Sequence, residues 1–565
     1  MSTQDEVEEL RRRLDEYARP PSEKAVEKQH AKDKLTVHER LDILLDEAAP
    51  SFEVATFAAM DQYQEHRDIR SAGVRTVVGR VSERDCMVIA NDSMVKSGTW
   101  FPLTIKKILR AQEIALENRL PLIYLVDSGG LFLPLQDESF PDKDDAGRIF
   151  YHNARISAEG IPQIAAVMGP CVAGGAYIPA LCDELLMVEG TSGIFLGGPH
   201  LVKAAIGEEA DIEELGGSST HTRLSGMADY EDPDEESCLA RVRRLAARWP
   251  APPGERPAGG VGARDRGEGG TVASGDAEAF DGAATGAGYA VGTARAPERD
   301  PEELLDLLPD DRSRAYEMRT ILECILDGES WEEYKREYGK SLLCGTARIH
   351  GRTVGIVASQ RAITRTGEGE MQIGGVIYGD AADKAARFVL MCNQKQLPLI
   401  FFQDVTGFMV GTRAERGGII KDGAKLINAV SNSRVPKMTV VVGNSYGAGN
   451  YALCGRAFGP RFVLAWPSAS IAVMAGKNAA ETILAIEKRK KEKGGEELTG
   501  PEEEAILDEI REAYERTLSP YYAASNLWVD ALVDPRSTRD VLGHLLRVAC
   551  AHPPDEEFRL GVFQV

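Results

Sequence analysis

Features that announce several common functions are missing from this sequence. There are 9 cysteines among 565 residues, yet no C-x-x-C pair, which argues against a zinc ribbon or a thioredoxin-type redox site. Their odd number and wide spacing, from Cys86 to Cys550, fit reduced thiols better than a disulfide framework. His38, His152 and His221 stand apart, without a Cys/His cluster, so no metal site is expected. Positive charge is short: Lys+Arg 66 against Asp+Glu 88 leaves a net charge of −22. Such a chain repels nucleic-acid phosphates and anionic lipid heads, so neither partner is expected. No G-x-x-x-x-G-K-[ST] loop occurs, so ATP hydrolysis by this chain is not expected. The opening run MSTQDEVEELRRRLDEY lacks the apolar centre of a secretory signal, and a cytoplasmic location is the expectation. Long apolar runs are scarce as well. Residues 161–182 are uncharged and long enough to cross a bilayer, but Pro162, Pro170 and Pro179 interrupt them. A buried strand, a turn and a buried helix is the better reading.

What is present is ordinary globular composition, 43% hydrophobic and 27% charged, in a chain long enough for two to four domains. Residues 1–65 read as a helical segment. Within it, LTVHERLDILL (35–45) has helical apolar spacing, and Thr36 with Glu39 forms a capping box. Residues 251–300 are rich in Gly, Pro and charge and read as a linker. Residues 66–250 and 301–565 read as two further domains, and they resemble one another.

LPLIYLVDSG (120–129) returns as LPLIFFQDVTG (397–407), and the preceding helix, KILRAQEIALENRL from Lys107, returns as KAARFVLMCNQKQL from Lys384. IPQIAAVMGPCVAGGAY (161–177) returns as VPKMTVVVGNSYGAGNY (435–451), and IFLGG from Ile194 as IAVMA from Ile471. The hairpins GRVSERDCMVIAND from Gly79 and GTARIHGRTVGIVAS from Gly345 correspond too. Blocks in the same order with small gaps mean a duplicated α/β domain with a largely buried sheet.

The glycine-rich turns, CVAGGA (171–176) and SYGAGN (445–450), each follow a strand and open a helix. Small residues let a ligand approach the backbone, and helix-start N–H groups with the helix dipole favour developing negative charge. If the turns Ser128-Gly129-Gly130 and Thr406-Gly407-Phe408 lie beside them, each copy offers converging donors, an oxyanion hole. Close helix–strand packing through glycine is the competing explanation. Gly447 to Ala452 also fits the G-x-G-x-x-A dinucleotide fingerprint, but no acidic residue lies between Gly449 and Ala480 to bind a ribose, and the first copy does not fit. Asp127 and Asp404 end equivalent strands, where capping is the expected role. Neither turn contains an acid or base, which suits a reaction whose cofactor carries the base.

The chain resembles the carboxyltransferase (beta) subunits of biotin-dependent acyl-CoA carboxylases, through DSGGLFLP at Asp127, FPDKDDAGRIFYHNARIS at Phe140, CVAGGAYIPALCDE at Cys171, QDVTGFMVG at Gln403 and GNSYGAGNYALCGRAFGPRF at Gly443. The FPD…GRIFY run is most similar to 3-methylcrotonyl-CoA and geranyl-CoA carboxylases. The resemblance implies two tandem crotonase-like domains. The first would hold an acyl-CoA thioester oxygen at Gly130, Gly174 and Gly175. The second would hold the ureido oxygen of carboxybiotin at Gly407, Phe408, Ala448 and Gly449. It also implies a homo-hexamer in which two subunits complete each site, and an alpha subunit carrying biotin and biotin carboxylase, since no Ala-Met-Lys-Met biotinylation sequence occurs here. Lys106, Lys107, Arg110, Arg148 and Lys203 are candidates for CoA phosphates, with a solvated basic face as the alternative. The acyl group stays open among 3-methylcrotonyl, propionyl and acetyl. A biotin-dependent decarboxylase subunit, a crotonase-type hydratase or isomerase, and a non-catalytic acyl-CoA-binding scaffold are the other readings.

Overall fold

A computed structural model of the protein describes residues 2–66, 68–249, 291–309, 311, 314–493, 498–552 and 557–565. Most of the 251–300 linker expectation therefore lies outside the described residues. The 161–182 stretch is the strand Gln163–Val172, a turn and the helix Tyr177–Leu181. Among the described residues no helix is long and apolar enough to cross a membrane.

Two sheets carry the repeat. The first runs, in spatial order, Phe52–Glu53, Val74–Val81, Arg84–Asn91, Leu122–Ser128, Gln163–Val172, Glu184–Val188 and Tyr230–Asp232, with Gly193–Phe195 pairing beside Gln163–Val172. The second repeats this order with Glu332–Glu333, Leu342–Ile349, Arg352–Ser359, Leu399–Val405, Lys437–Tyr446, Phe462–Ala465 and Ala531–Leu532, with Ser470–Ala472 beside Lys437–Tyr446. Each begins with an antiparallel hairpin and continues parallel. The central parallel strands are buried along their length, as expected where helices cover both faces.

The hairpin turns show how far the duplication reaches. Ser82 (φ 48°) and Glu83 (φ 63°), like His350 (φ 48°) and Gly351 (φ 77°), are left-handed at both central positions, which matches strand twist in a two-residue hairpin. Non-glycine residues resist that conformation. In each copy one carboxylate accepts both turn N–H groups: Asp46 from Ser82 and Glu83 at 2.9 and 2.7 Å, Asp327 from His350 and Gly351 at 2.9 and 2.8 Å. An arginine near the end of each copy binds that aspartate and a helix-end carbonyl: Arg243 with Asp46 and Leu44, Arg539 with Asp327 and Ile325. The helix Val37–Leu44, capped by Thr36 and Glu39 as expected, thus corresponds to Met318–Ile325. The repeated unit begins well before residue 66. LLDEAAPSFE (44–53) against ILDGESWEE (325–333) was the available sequence signal.

On its outer face each sheet is covered by its own helices, Val37–Leu44 and Glu235–Ala246 in the first half, Met318–Ile325 and Thr538–Ala549 in the second. The inner faces share one apolar core running through both halves. There the helices Ala146–Ala158 and Ile419–Asn432 pack against each other.

Candidate functional site

The parallel strand Gln163–Val172 runs into the short 3-10 turn Ala173–Ala176 and then the helix Tyr177–Leu181. Lys437–Tyr446 runs into the helix Gly447–Ala452 in the same way. Both turns start left-handed, at Ala173 (φ 56°) and Gly447 (φ 53°). No side chain caps either start, so the first N–H groups of each stay available to a ligand.

The loops at Gly130 and Gly407 lie close to the turns. A Cβ placed on Gly130 (φ 86°) would stand 3.4 Å from the Val172 carbonyl oxygen, so this loop lies against the first turn. The Gly130 N–H makes a long 3.2 Å bond to Ser128 Oγ, itself donating to the Gly98 carbonyl at 2.8 Å. In the second half a Cβ on Gly449 would stand 3.3 Å from Gly407 Cα. Gly407 (φ 131°) and Phe408 pair in parallel with Val376 and Ile377. The structure therefore brings Gly130 to Val172, at the entrance of the Ala173–Ala176 turn, and Gly407 to Gly449.

The glycines divide into two kinds. At Gly449 packing suffices as an explanation, because a Cβ would press on Val405 at 2.7 Å. At Gly174 and Gly175 the nearest atoms to a Cβ are 3.7 Å away, ordinary contact. Neither the packing nor the backbone sign demands glycine there, which leaves ligand space as its physical use.

The strand-end aspartates are neither caps nor solvent-facing. A Cβ on Gly169 would overlap the Asp127 carboxylate, and one on Gly443 the Asp404 carboxylate. Asp127 meets Lys34 at 2.6 Å and Arg40 at 3.1 Å, and Arg40 also holds Glu235 at 2.7 Å. Burial pushes the Asp127 pKa up, but Arg40 and Lys34 outweigh it and hold it below its ordinary value. Asp404 accepts from the Tyr316 hydroxyl at 2.7 Å and the Asn444 N–H at 2.9 Å, with Arg361 at 3.4 Å. These replace the expected capping role with buried anchoring of the strand ends beneath the turns.

The cationic candidates are dispersed. Arg148 is half-buried, donates to the Ala457 carbonyl at 3.0 Å and stacks over Tyr151. Lys203, exposed, pairs with Glu209 at 2.6 Å. Lys107 is buried on Ser71 and Glu53, which turns this candidate into a structural cation. Lys106 and Arg110 are exposed, Arg110 beside Glu113. None of these contacts involves a glycine turn.

Aromatic rings fill the space between the two turns of one chain. Phe150 lies 6.2 Å from Tyr177 and 5.5 Å from Tyr451, and Tyr177 lies 5.9 Å from Phe408 (ring centroids). All four are buried. Beside them Glu415, 1% exposed, accepts the Leu196 N–H at 2.7 Å and ties the Thr412–Arg416 helix to the first half. Burial pushes its pKa up to about 8, against the lowering effect of bonds from Leu196 and Gly197. Sequence reading missed Glu415, because its partner lies 219 residues away.

With this geometry in hand, comparison with known proteins is direct. The carboxyl transferase domain family matches residues 28–265 and 289–558. The chain is 43% identical to the biotin-dependent 3-methylcrotonyl-coenzyme A carboxylase beta1 subunit of Mycobacterium tuberculosis, over 99% of this chain and 96% of that one. It is 42% identical to the mitochondrial methylcrotonoyl-CoA carboxylase beta chain of Arabidopsis thaliana, over 99% of this chain and 88% of that one. The crystal structure of the geranyl-CoA carboxylase beta subunit of P. aeruginosa is 34% identical, covering 99% of this chain and 95% of that one, with a TM-score of 0.41. The fold is α/β with one sheet order occurring twice in tandem, and the chain belongs to the carboxyl transferase domain family.

Proposed function

We propose that this carboxyltransferase moves a carboxyl group from carboxybiotin to a branched acyl-CoA of the 3-methylcrotonyl type. The observation that carries this reading is the uncapped small-residue turn, Gly174–Gly175 in the first half and Ala448–Gly449 in the second, with no packing demand for glycine at Gly174 and Gly175. Gly174, Gly175 and Gly130 hold the thioester oxygen as the acyl group loses its acidic proton. Ala448, Gly449, Gly407 and Phe408 hold the ureido oxygen as it gains negative charge. Carboxybiotin supplies the CO2 and the base. Backbone N–H donors need no reorganisation when charge develops, and one such donor is worth roughly 10²–10³ in rate. Exposed Lys203 and half-buried Arg148 are the cations assigned to CoA.

Four buried aromatic rings lie between the two turns of one chain. Each turn therefore works with the opposite turn of another copy, in a homo-oligomer read as a hexamer, and biotin arrives on a partner alpha subunit with biotin carboxylase. The assay is transfer from free carboxybiotin to a panel of acyl-CoAs by the purified chain. We expect product with 3-methylcrotonyl-CoA above propionyl- and acetyl-CoA. Gly175→Val is expected to abolish transfer, with circular dichroism checking that the variant stays folded; its Cβ meets only ordinary contact, Cys171 Sγ at 3.7 Å. Retained transfer in a folded Gly175→Val variant would refute the site.

A further inference from the structure

The two halves exchange one side chain each, and the exchange is reciprocal. Tyr177 follows the first turn and Tyr451 follows the second, at matching places in the repeat. Tyr177, fully buried, enters a notch at Gly423 on the second half's helix Ile419–Asn432; a Cβ on Gly423 would stand 2.6 Å from the Tyr177 hydroxyl oxygen. Tyr451, 2% exposed, enters a notch at Gly147 on the first half's helix Ala146–Ala158; a Cβ on Gly147 would stand 2.7 Å from its Cε1. Neither notch glycine has positive φ, so shape alone requires glycine at these two helical positions. Helix interiors otherwise disfavour glycine by roughly 0.5–1 kcal/mol.

Hydrogen bonding does not hold the first ring: the Tyr177 hydroxyl is buried without a hydrogen-bond partner, and Tyr451 reaches the Phe140 carbonyl only at 3.5 Å. Close packing holds both rings, and close-packed interiors transmit displacement. Tyr177 directly follows Ala176 and therefore carries the end of the Ala173–Ala176 turn with it.

We propose that Tyr177 and Tyr451 are reciprocal positioning residues, each using a glycine notch of the opposite half to fix the donor turn that precedes it. The acyl-CoA turn is then set by the second half, and the carboxybiotin turn by the first. This rests on the assignment of the two turns given above.

The test is steady-state transfer by the full chain, with free carboxybiotin as donor and 3-methylcrotonyl-CoA as acceptor. Gly423→Ala lies in the second half, yet it should raise KM for the acyl-CoA by about tenfold, the scale expected for sub-ångström misplacement, and raise KM for carboxybiotin less, through the Phe408 ring 3.0 Å from the same Cβ. Adding Tyr177→Phe removes the closest contact, the hydroxyl oxygen, keeps the ring carbon at 3.1 Å, and should recover part of that shift. Gly147→Ala should raise KM for carboxybiotin instead. A Gly423→Ala effect that Tyr177→Phe does not relieve would come through Phe408, 3.0 Å from the same Cβ, and would overturn the proposal, as would unchanged kinetics. A crystal structure of Gly423→Ala supplies a readout independent of activity: the turn at residues 173–176 shifts if the notch positions it and stays in place if it does not. Failure of the assignment itself appears separately, as transfer surviving Gly175→Val.

Discussion

In the first half the strand-end carboxylate Asp127 lies between two cations, Lys34 and Arg40, supplied by the segment that precedes the sheet. In the second half its counterpart Asp404 takes a tyrosine hydroxyl, a backbone N–H and one arginine, with Tyr316 and Arg361 again coming from upstream chain. The glycine facing the carboxylate is kept in both, Gly169 and Gly443. The difference teaches that duplication preserved the backbone demand, a carboxylate buried under a donor turn, while the compensating partners were drawn from whatever each copy offered. The hairpin anchors are the opposite case, where Asp46 with Arg243 and Asp327 with Arg539 keep the same partners.

Removing the carboxylates should separate the halves most. Asp127→Ala leaves Lys34 and Arg40 buried against Glu235 alone and should cost roughly 3–5 kcal/mol, the scale for breaking a buried ion pair. Asp404→Ala removes the acceptor of the Tyr316 hydroxyl and of the Asn444 N–H and should cost about 1–3 kcal/mol. Urea midpoints of the two variants measure this, and equal losses would erase the distinction drawn above.

The junction between halves should show itself in pH. Glu415, raised to about 8 from an ordinary 4.5, keeps a proton in the folded chain that the unfolded chain gives up between those values. Its contribution is complete below pH 4.5 and is lost as pH rises through about 8. Glu415→Gln should therefore flatten the decline of the thermal midpoint between pH 5 and pH 9, measured against wild type. Parallel pH profiles would show that Glu415 does not titrate in this window.

The smallest effect concerns the first residue of each turn. Gly447→Ala adds a left-handed side chain whose Cβ stands 3.1 Å from the Val473 carbonyl oxygen, and should destabilise by about 1–2 kcal/mol. Ala173→Gly relieves the same conformation but frees the unfolded chain, and should stay within about 1 kcal/mol of wild type. Denaturation midpoints that moved equally would mean the two turns are under the same strain.

Much of the fold was legible because apolar strands, helix spacing and glycine turns repeat in order, and a duplicated pattern is its own control. The capping box at Thr36 and the strand–turn–helix of residues 161–182 needed only local rules. The roles of Asp127 and Asp404 were not legible. Their strand-end position suggested caps, whereas their partners are 93, 87 and 43 residues away for Lys34, Arg40 and Arg361. Lys107 read as a candidate for CoA phosphates or as part of a solvated basic face, and its burial on Ser71 showed otherwise.

By itself the sequence determined that one α/β unit occurs twice and that each copy opens a helix with small residues after a buried strand. Those are properties of short windows, where side-chain size and backbone freedom act within a few residues. Only the tertiary structure decided that Gly449 is required by Val405 while a Cβ on Gly175 would meet only ordinary contact, and that Tyr177 and Tyr451 cross between halves. Such distinctions depend on which distant atoms come within van der Waals reach, and that is set by how the two sheets and their inner helices pack.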